Sequence, residues 1–230
     1  MKRFFFPAIL WSFASIVLCT APAFSQSSAE QYKQYEFGPF VTGGASVFMG
    51  SVPDGAKTGV TPAFSAGAFG DYMFNHIAGV ALALGFESRG MNFVGQAGDP
   101  PHENFTLQYF SIRPSVKVGV LLVGVNIGAP VNISTSYTTS QNLTASSAIA
   151  SKQQNTLVDI RLEGMFALFE NKDGKLSFHA EASYPLTDAI GEGGFVVPFQ
   201  TNTAKIISKS PIPSVQLGLS YLFSPGGFTL

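Results

Sequence analysis

Cysteine is almost absent from this chain. Cys19 is the single one, and it sits in an N-terminal apolar stretch. Past that stretch there can be no disulfide, no thiolate nucleophile and no cysteine-based metal site. Charge is scarce too. Asp, Glu, Lys and Arg make up 12% of the residues, about half the usual share of a soluble domain. The few basic residues form no patch, which speaks against a nucleic-acid surface. Long apolar runs are missing beyond the N-terminus, so no later segment reaches the roughly 18 residues of a helical span. A chain poor in charge, without helical spans, yet holding 22 Phe and 24 Gly, points to strands that cross lipid.

The N-terminus supplies an export route. Met1-Lys2-Arg3 is basic, Phe4 to Cys19 is apolar, and Ala21-Pro22-Ala23-Phe24-Ser25-Gln26 follows. A basic start, an apolar core too short to span and an A-x-A-like site describe a secretory signal peptide. Cleavage is expected after Ala23 or Ser25. Leu18 precedes Cys19, where a lipid-anchored cysteine needs a small residue, so Cys19 belongs to the apolar core. Removing Lys2 and Arg3 from 13 basic residues leaves 11 against 14 acidic ones, a net charge near −3.

What remains alternates. Eight segments show the period of two that marks a strand: Tyr35 to Met49, Pro62 to Phe74, Ile77 to Phe93, Phe105 to Val118, Leu121 to Ser134, Thr156 to Phe169, Lys175 to Thr187 and Ser214 to Phe223. In the third, Val80, Leu82, Leu84 and Phe86 oppose Ala81, Ala83, Gly85, Glu87 and Arg89. In the fifth, Val123, Val125, Ile127, Val131 and Ile133 oppose Gly124, Asn126, Gly128 and Asn132. In the last, Val215, Leu217, Leu219, Tyr221 and Phe223 oppose Gln216, Gly218, Ser220 and Leu222.

The connections sort by length. Asn75-His76, the Gly119 region and Asn171-Lys172-Asp173-Gly174 are short. About 50–61, 94–104, 135–155 and 188–213 are long, and the Ser/Thr-rich third of these is expected to be mobile. Short turns on one side and long loops on the other are the asymmetry of an outer-membrane barrel. The expected fold is therefore an all-β, eight-stranded antiparallel up-and-down transmembrane β-barrel over residues 35–223. Before it come the signal peptide 1–25 and a short segment 26–34, and after it a tail 224–230.

Lipid cannot hydrate a charge, so the charged parity must face inward. Glu87, Asp159, Glu163 and Glu181 would there meet Arg89, Arg113, Lys117 and Arg161, four of each sign, together with His179. An interior of eight strands is just wide enough for side chains to fill, which predicts a plug rather than a channel. His179 and Glu181 lie with Ser177 and Ser183 on one inward face. A nucleophile needs a base in contact and a substrate within reach, and mid-strand lumen positions favour mutual satisfaction instead. No catalytic residue, cofactor or metal site is expected. Neither glycine pair, Gly43-Gly44 or Gly193-Gly194, has the context of a phosphate loop.

Two resemblances follow from these residues. Gln216, Gly218, Tyr221 and Phe223 resemble the C-terminal assembly signal of bacterial outer-membrane proteins, which implies the barrel-assembly machinery as a partner. Gly85-Phe86-Glu87-Ser88-Arg89-Gly90, Leu107-Gln108-Tyr109-Phe110-Ser111-Ile112-Arg113-Pro114-Ser115-Val116-Lys117 and Glu181-Ala182-Ser183-Tyr184-Pro185-Leu186-Thr187-Asp188 resemble the outer membrane protein beta-barrel domain common in Bacteroidota and related bacteria. Arg113 and Pro185 depart modestly from its pattern. That resemblance implies a fold and a location, the bacterial outer membrane, and no shared catalytic set.

The function expected is that of a structural or interaction protein. Outer-membrane lipid surrounds it, and a protein or surface ligand binds at its long extracellular loops. Phe195, Val196, Val197, Phe199, Ile206 and Ile207 in the longest loop are the candidate contact residues. The alternatives are an accessory barrel for secretion or envelope assembly, a lipid-modifying enzyme, and a secreted lipocalin-like carrier with an apolar interior and a charged exterior.

Overall fold

Strands with one apolar and one polar edge per residue pair must bury one face, and here they do so by closing on themselves. The computed structural model describes residues 35–50, 57–74, 77–94, 102–138, 144–149, 154–171, 174–190 and 211–223. The expected signal peptide, the segment 26–34, the tail 224–230 and the loop residues Phe195, Val196, Val197, Phe199, Ile206 and Ile207 lie outside them.

The strands are β1 (Tyr35–Val47), β2 (Lys57–Met73), β3 (Ala78–Val94), β4 (His102–Val118), β5 (Leu121–Thr138), β6 (Thr144–Ile149), β7 (Leu157–Glu170), β8 (Gly174–Pro185) and β9 (Ser214–Phe223). All pair antiparallel. The first meets the last, with Val41 opposite Leu219 and Ala45 opposite Val215. Eight strands thus form a closed ring, and a ring has no free edge to aggregate. β6 stands outside it, pairing with the outer end of β5 from Ile133 to Thr138.

Two places depend on glycine. Gly119 turns β4 into β5 at φ 59°, a conformation that a side chain opposes. Along the β1–β9 seam, a Cβ on Gly44 would lie 2.0 Å from the Val215 carbonyl oxygen, and one on Gly218 would lie 2.2 Å from that of Val41. The backbones there approach too closely for any side chain.

The expected segments hold with three corrections. First, the strands run further toward the long loops. β2 begins at Lys57 rather than Pro62, β4 at His102 rather than Phe105, and β5 ends at Thr138 rather than Ser134. Second, the Ser/Thr-rich stretch expected to be mobile contains the β5–β6 hairpin. Ladder hydrogen bonds order a polar segment as well as an apolar one. Third, Ile133 points inward and is fully buried, while Asn132 takes the outer face. Pairing moves from Tyr109–Pro130 to Gln108–Asn132, so Val131 is an inserted residue. One extra residue reverses the side chains beyond it.

Candidate functional site

From the short-turn end to its middle, the ring wall is apolar outside and polar inside. Phe37, Phe86, Val116 and Ile160 are each more than half exposed. No charged residue shares that outward face among the described residues of the band. The outward apolar stretches on β3, β4 and β5 have the length that a tilted strand needs to cross lipid, about 9–11 residues. Phe86 and Phe110 close the band toward the long loops, with ring centroids 5.6 Å apart.

The lumen gathers every interior residue expected from the sequence. Glu87, Arg89, Arg113 and Glu163 are each 1% exposed, and Asp159 is fully buried. Arg89 is the hub. Its Nε donates to Glu87 Oε1 at 2.6 Å, its Nη2 pairs with Asp159, and its Nη1 donates to the Ile212 carbonyl at 2.9 Å. The second oxygen of Glu87 accepts from Arg113 Nη2 at 3.1 Å, Ser111 Oγ at 3.1 Å and Asn126 Nδ2 at 2.7 Å. Arg161 pairs with Glu163 and faces Glu181 Oε2 at 3.1 Å. Arg113 Nη1 faces the same Glu181 oxygen at 3.5 Å. Its guanidinium carbon lies 5.5 Å from the centre of the Phe40 ring. Each charge removed from water has an opposite charge in contact, the condition under which such burial is tolerated.

The network also takes in interior residues that the sequence reading did not assign to it. Asp71 pairs with Lys117, and Glu36 with Lys175, near the short-turn end. Gln216 Oε1 accepts from Thr42 Oγ1 at 2.7 Å and Ser65 Oγ at 3.0 Å. The four-to-four balance therefore becomes six carboxylates against five fixed cations and His179. The parity that placed Glu36 and Asp71 inward was the signal that could have found them.

His179 also has a partner that spacing could not show. Its Nε2 lies 2.6 Å from Ser220 Oγ on β9, and its Nδ1 contacts Glu163 on β7. Ser177 and Ser183 lie buried on the same inward face, as expected, but Ser183 Oγ meets Ser214 Oγ at 2.8 Å. Hydroxyl, imidazole and carboxylate stand in the order of a nucleophilic relay. Ser220, however, is 2% exposed, and Phe69 packs edge-on against the imidazole at 5.7 Å. A substrate carbonyl would have to pass buried side chains to reach it. The arrangement satisfies three buried polar groups, as buried polar groups require.

Above the charged layer the wall changes sense. Met91, Phe93, Phe105 and Leu107 point inward and are buried together with Phe48, Ile190 and Ile212. The outward positions between them are Asn92, Asn104, Thr106 and Gln108. The inversion coincides with two inserted residues, Val131 in β5 and one between Gly59 and Phe64 in β2. The sequence carried the signal: Asn104-Phe105-Thr106-Leu107-Gln108 alternates in the opposite sense to Phe110-Ser111-Ile112-Arg113.

The architecture is that of an outer-membrane-type transmembrane β-barrel. No family model and no curated protein matches the chain. Among solved structures, it is similar to Ail, the attachment invasion locus protein of Yersinia pestis. That protein is 11% identical, with 83% of this chain and 99% of that chain covered and a TM-score of 0.43. It is also similar to the outer membrane protein OprG of Pseudomonas aeruginosa, at 10% identity, 84% and 98% coverage and a TM-score of 0.33. At these values the fold rests on the closed hydrogen-bonded ring and not on the likeness.

Proposed function

We propose that this protein is a small barrel of the bacterial outer membrane, related in fold to the beta-barrel domain it resembles. It acts as a rigid scaffold whose contacts with other molecules lie at the long-loop end. One observation carries the reading: a closed ring with its charges paired inside and an uncharged apolar band outside. A soluble carrier of the lipocalin kind needs the reverse polarity. Outer-membrane lipid is the natural neighbour of such a band, and a barrel-assembly machine is the partner suggested by Gln216, Gly218, Tyr221 and Phe223.

In this reading the lumen is closed by its own side chains. Arg89, Arg113 and Arg161 bridge carboxylates from β3, β7 and β8 across the interior, and an apolar layer of Phe40, Phe69, Leu122 and Leu222 lies beneath them. The lumen offers ion pairs to itself and no path to an ion. In this reading the Ser220–His179–Glu163 group serves the same packing and has a structural role.

Cell fractionation tests the location. The folded chain should sediment with the outer membrane and migrate faster on unheated gels than after boiling. Recovery in the soluble periplasmic fraction would overturn the reading. Planar-bilayer recordings test the plug, because a steady and uniform conductance is incompatible with it.

A further inference from the structure

The outer wall of β3, β4 and β5 carries a surface that the scaffold reading leaves unused. Gln108 lies beside Asn132, Thr106 beside Ser134, and Asn104 beside Asn92. Asn92 Nδ2 donates to Asn104 Oδ1 at 2.6 Å. All six face outward and are partly or fully exposed. They form three successive rows, starting directly above the Phe86–Phe110 pair that ends the apolar band on β3 and β4, and the first row continues on β2 into the exposed Phe64.

We infer that this strip binds the sugar headgroup of a glycolipid in the outer leaflet. The inference rests on the membrane reading above. The first argument is chemical. Amides and hydroxyls both donate and accept, as sugar hydroxyls do. A site for phosphate would present Arg or Lys, and these six positions hold neither. They hold no carboxylate either.

The second argument is length. Each row stands two residues further along strands that rise about 3.3–3.4 Å per residue. At a tilt of about 35–45°, the three rows reach roughly 5, 10 and 15 Å beyond the hydrocarbon edge. A phospholipid headgroup zone is only about 5–8 Å deep. It covers the row of Gln108 and leaves those of Thr106 and Asn104 uncovered. A headgroup several sugars long covers all three. The wall beneath is rigid, because Phe105 and Leu107 behind it are fully buried, so the donors and acceptors are held in place before the lipid arrives.

The test uses the full folded barrel in phosphatidylcholine vesicles, with and without a glycolipid bearing an uncharged trisaccharide on the same acyl chains. The readout is the temperature at which the fast-migrating form is lost. Glycolipid should raise that midpoint by about 2–4 °C, the shift of a single modest interaction in a domain of this size. The triple variant Asn104→Ala, Gln108→Ala, Asn132→Ala should melt like the parent in plain phosphatidylcholine and show no glycolipid shift. An equal shift in the variant, or none in the parent, overturns the inference. So does an equal shift from phosphatidylglycerol, which carries charge without a trisaccharide, or from the free trisaccharide, which needs no membrane. A chain that floats with no vesicle takes the membrane reading down as well, which separates the two failures.

Discussion

Along β3 and β4 the two halves of the barrel wall obey one rule with opposite results. From the short turns to Phe86 and Phe110, apolar side chains face out and charged ones face in. Beyond that level Phe93, Phe105 and Leu107 face in, while Asn104, Thr106 and Gln108 face out. The strands are continuous through the change. What changes is the solvent. A strand in lipid hides its polar face, and a strand in water hides its apolar one. On β3 and β4 the level of inversion therefore marks the edge of the hydrocarbon without reference to any lipid.

Truncating the interior on either side gives the largest expected effects. Arg89→Ala leaves Asp159 without its cation and strips Glu87 of one of its two, and should cost about 3–5 kcal/mol. Phe105→Ala opens a cavity in the outer core and should cost a similar 3–5 kcal/mol. Denaturant titration in vesicles measures both. If Arg89→Ala costs under about 1 kcal/mol, water reaches the charged layer and the lower half is not sealed.

The outward face separates the halves more sharply. Ile160→Arg places a charge in lipid and should cost about 2–4 kcal/mol, whereas Thr106→Arg, beyond the band, should cost about 0–1 kcal/mol. Equal costs in the same titration would mean that the hydrocarbon edge is misplaced. The smallest pair compares one hydrogen bond in each half. Ser183→Ala loses the buried bond to Ser214 inside the barrel and should cost about 0.5–1.5 kcal/mol. Asn92→Ala loses the bond to Asn104 at the surface and should stay within about 0.5 kcal/mol. A larger loss for Asn92 would show that the outer rows are shielded from water even in plain phospholipid.

Much of this was legible in the chain. Parity alone placed Glu87, Arg113, Asp159 and Glu181 inside, because no other face could hold a charge in lipid. β9 ends where its alternation ends. Ile133 was misplaced because an inserted residue leaves no mark in composition. Only the pairing with β4 reveals that Val131 is extra. The Ser220 contact of His179 depends on register across two strands, which spacing within either one does not contain. The outer ends of β2, β4 and β5 read as loop because a strand wall facing water has the Ser, Thr and Asn content of a loop. The short-turn end lacked that ambiguity, since its outward residues are apolar until the last residue of β7, Glu170.

The seam between β1 and β9 has a consequence in time. Thr42 and Gln216, bonded across it, are 174 positions apart. The last strand of the ring must be made before the first can meet it, so β1 keeps an open edge until then. In the finished ring Gln216 is fully buried, and Gly218 lies against the backbone of β1. Any factor that reads these two residues must read them beforehand. Closure then erases the label, and a completed barrel can no longer be mistaken for an unfinished one.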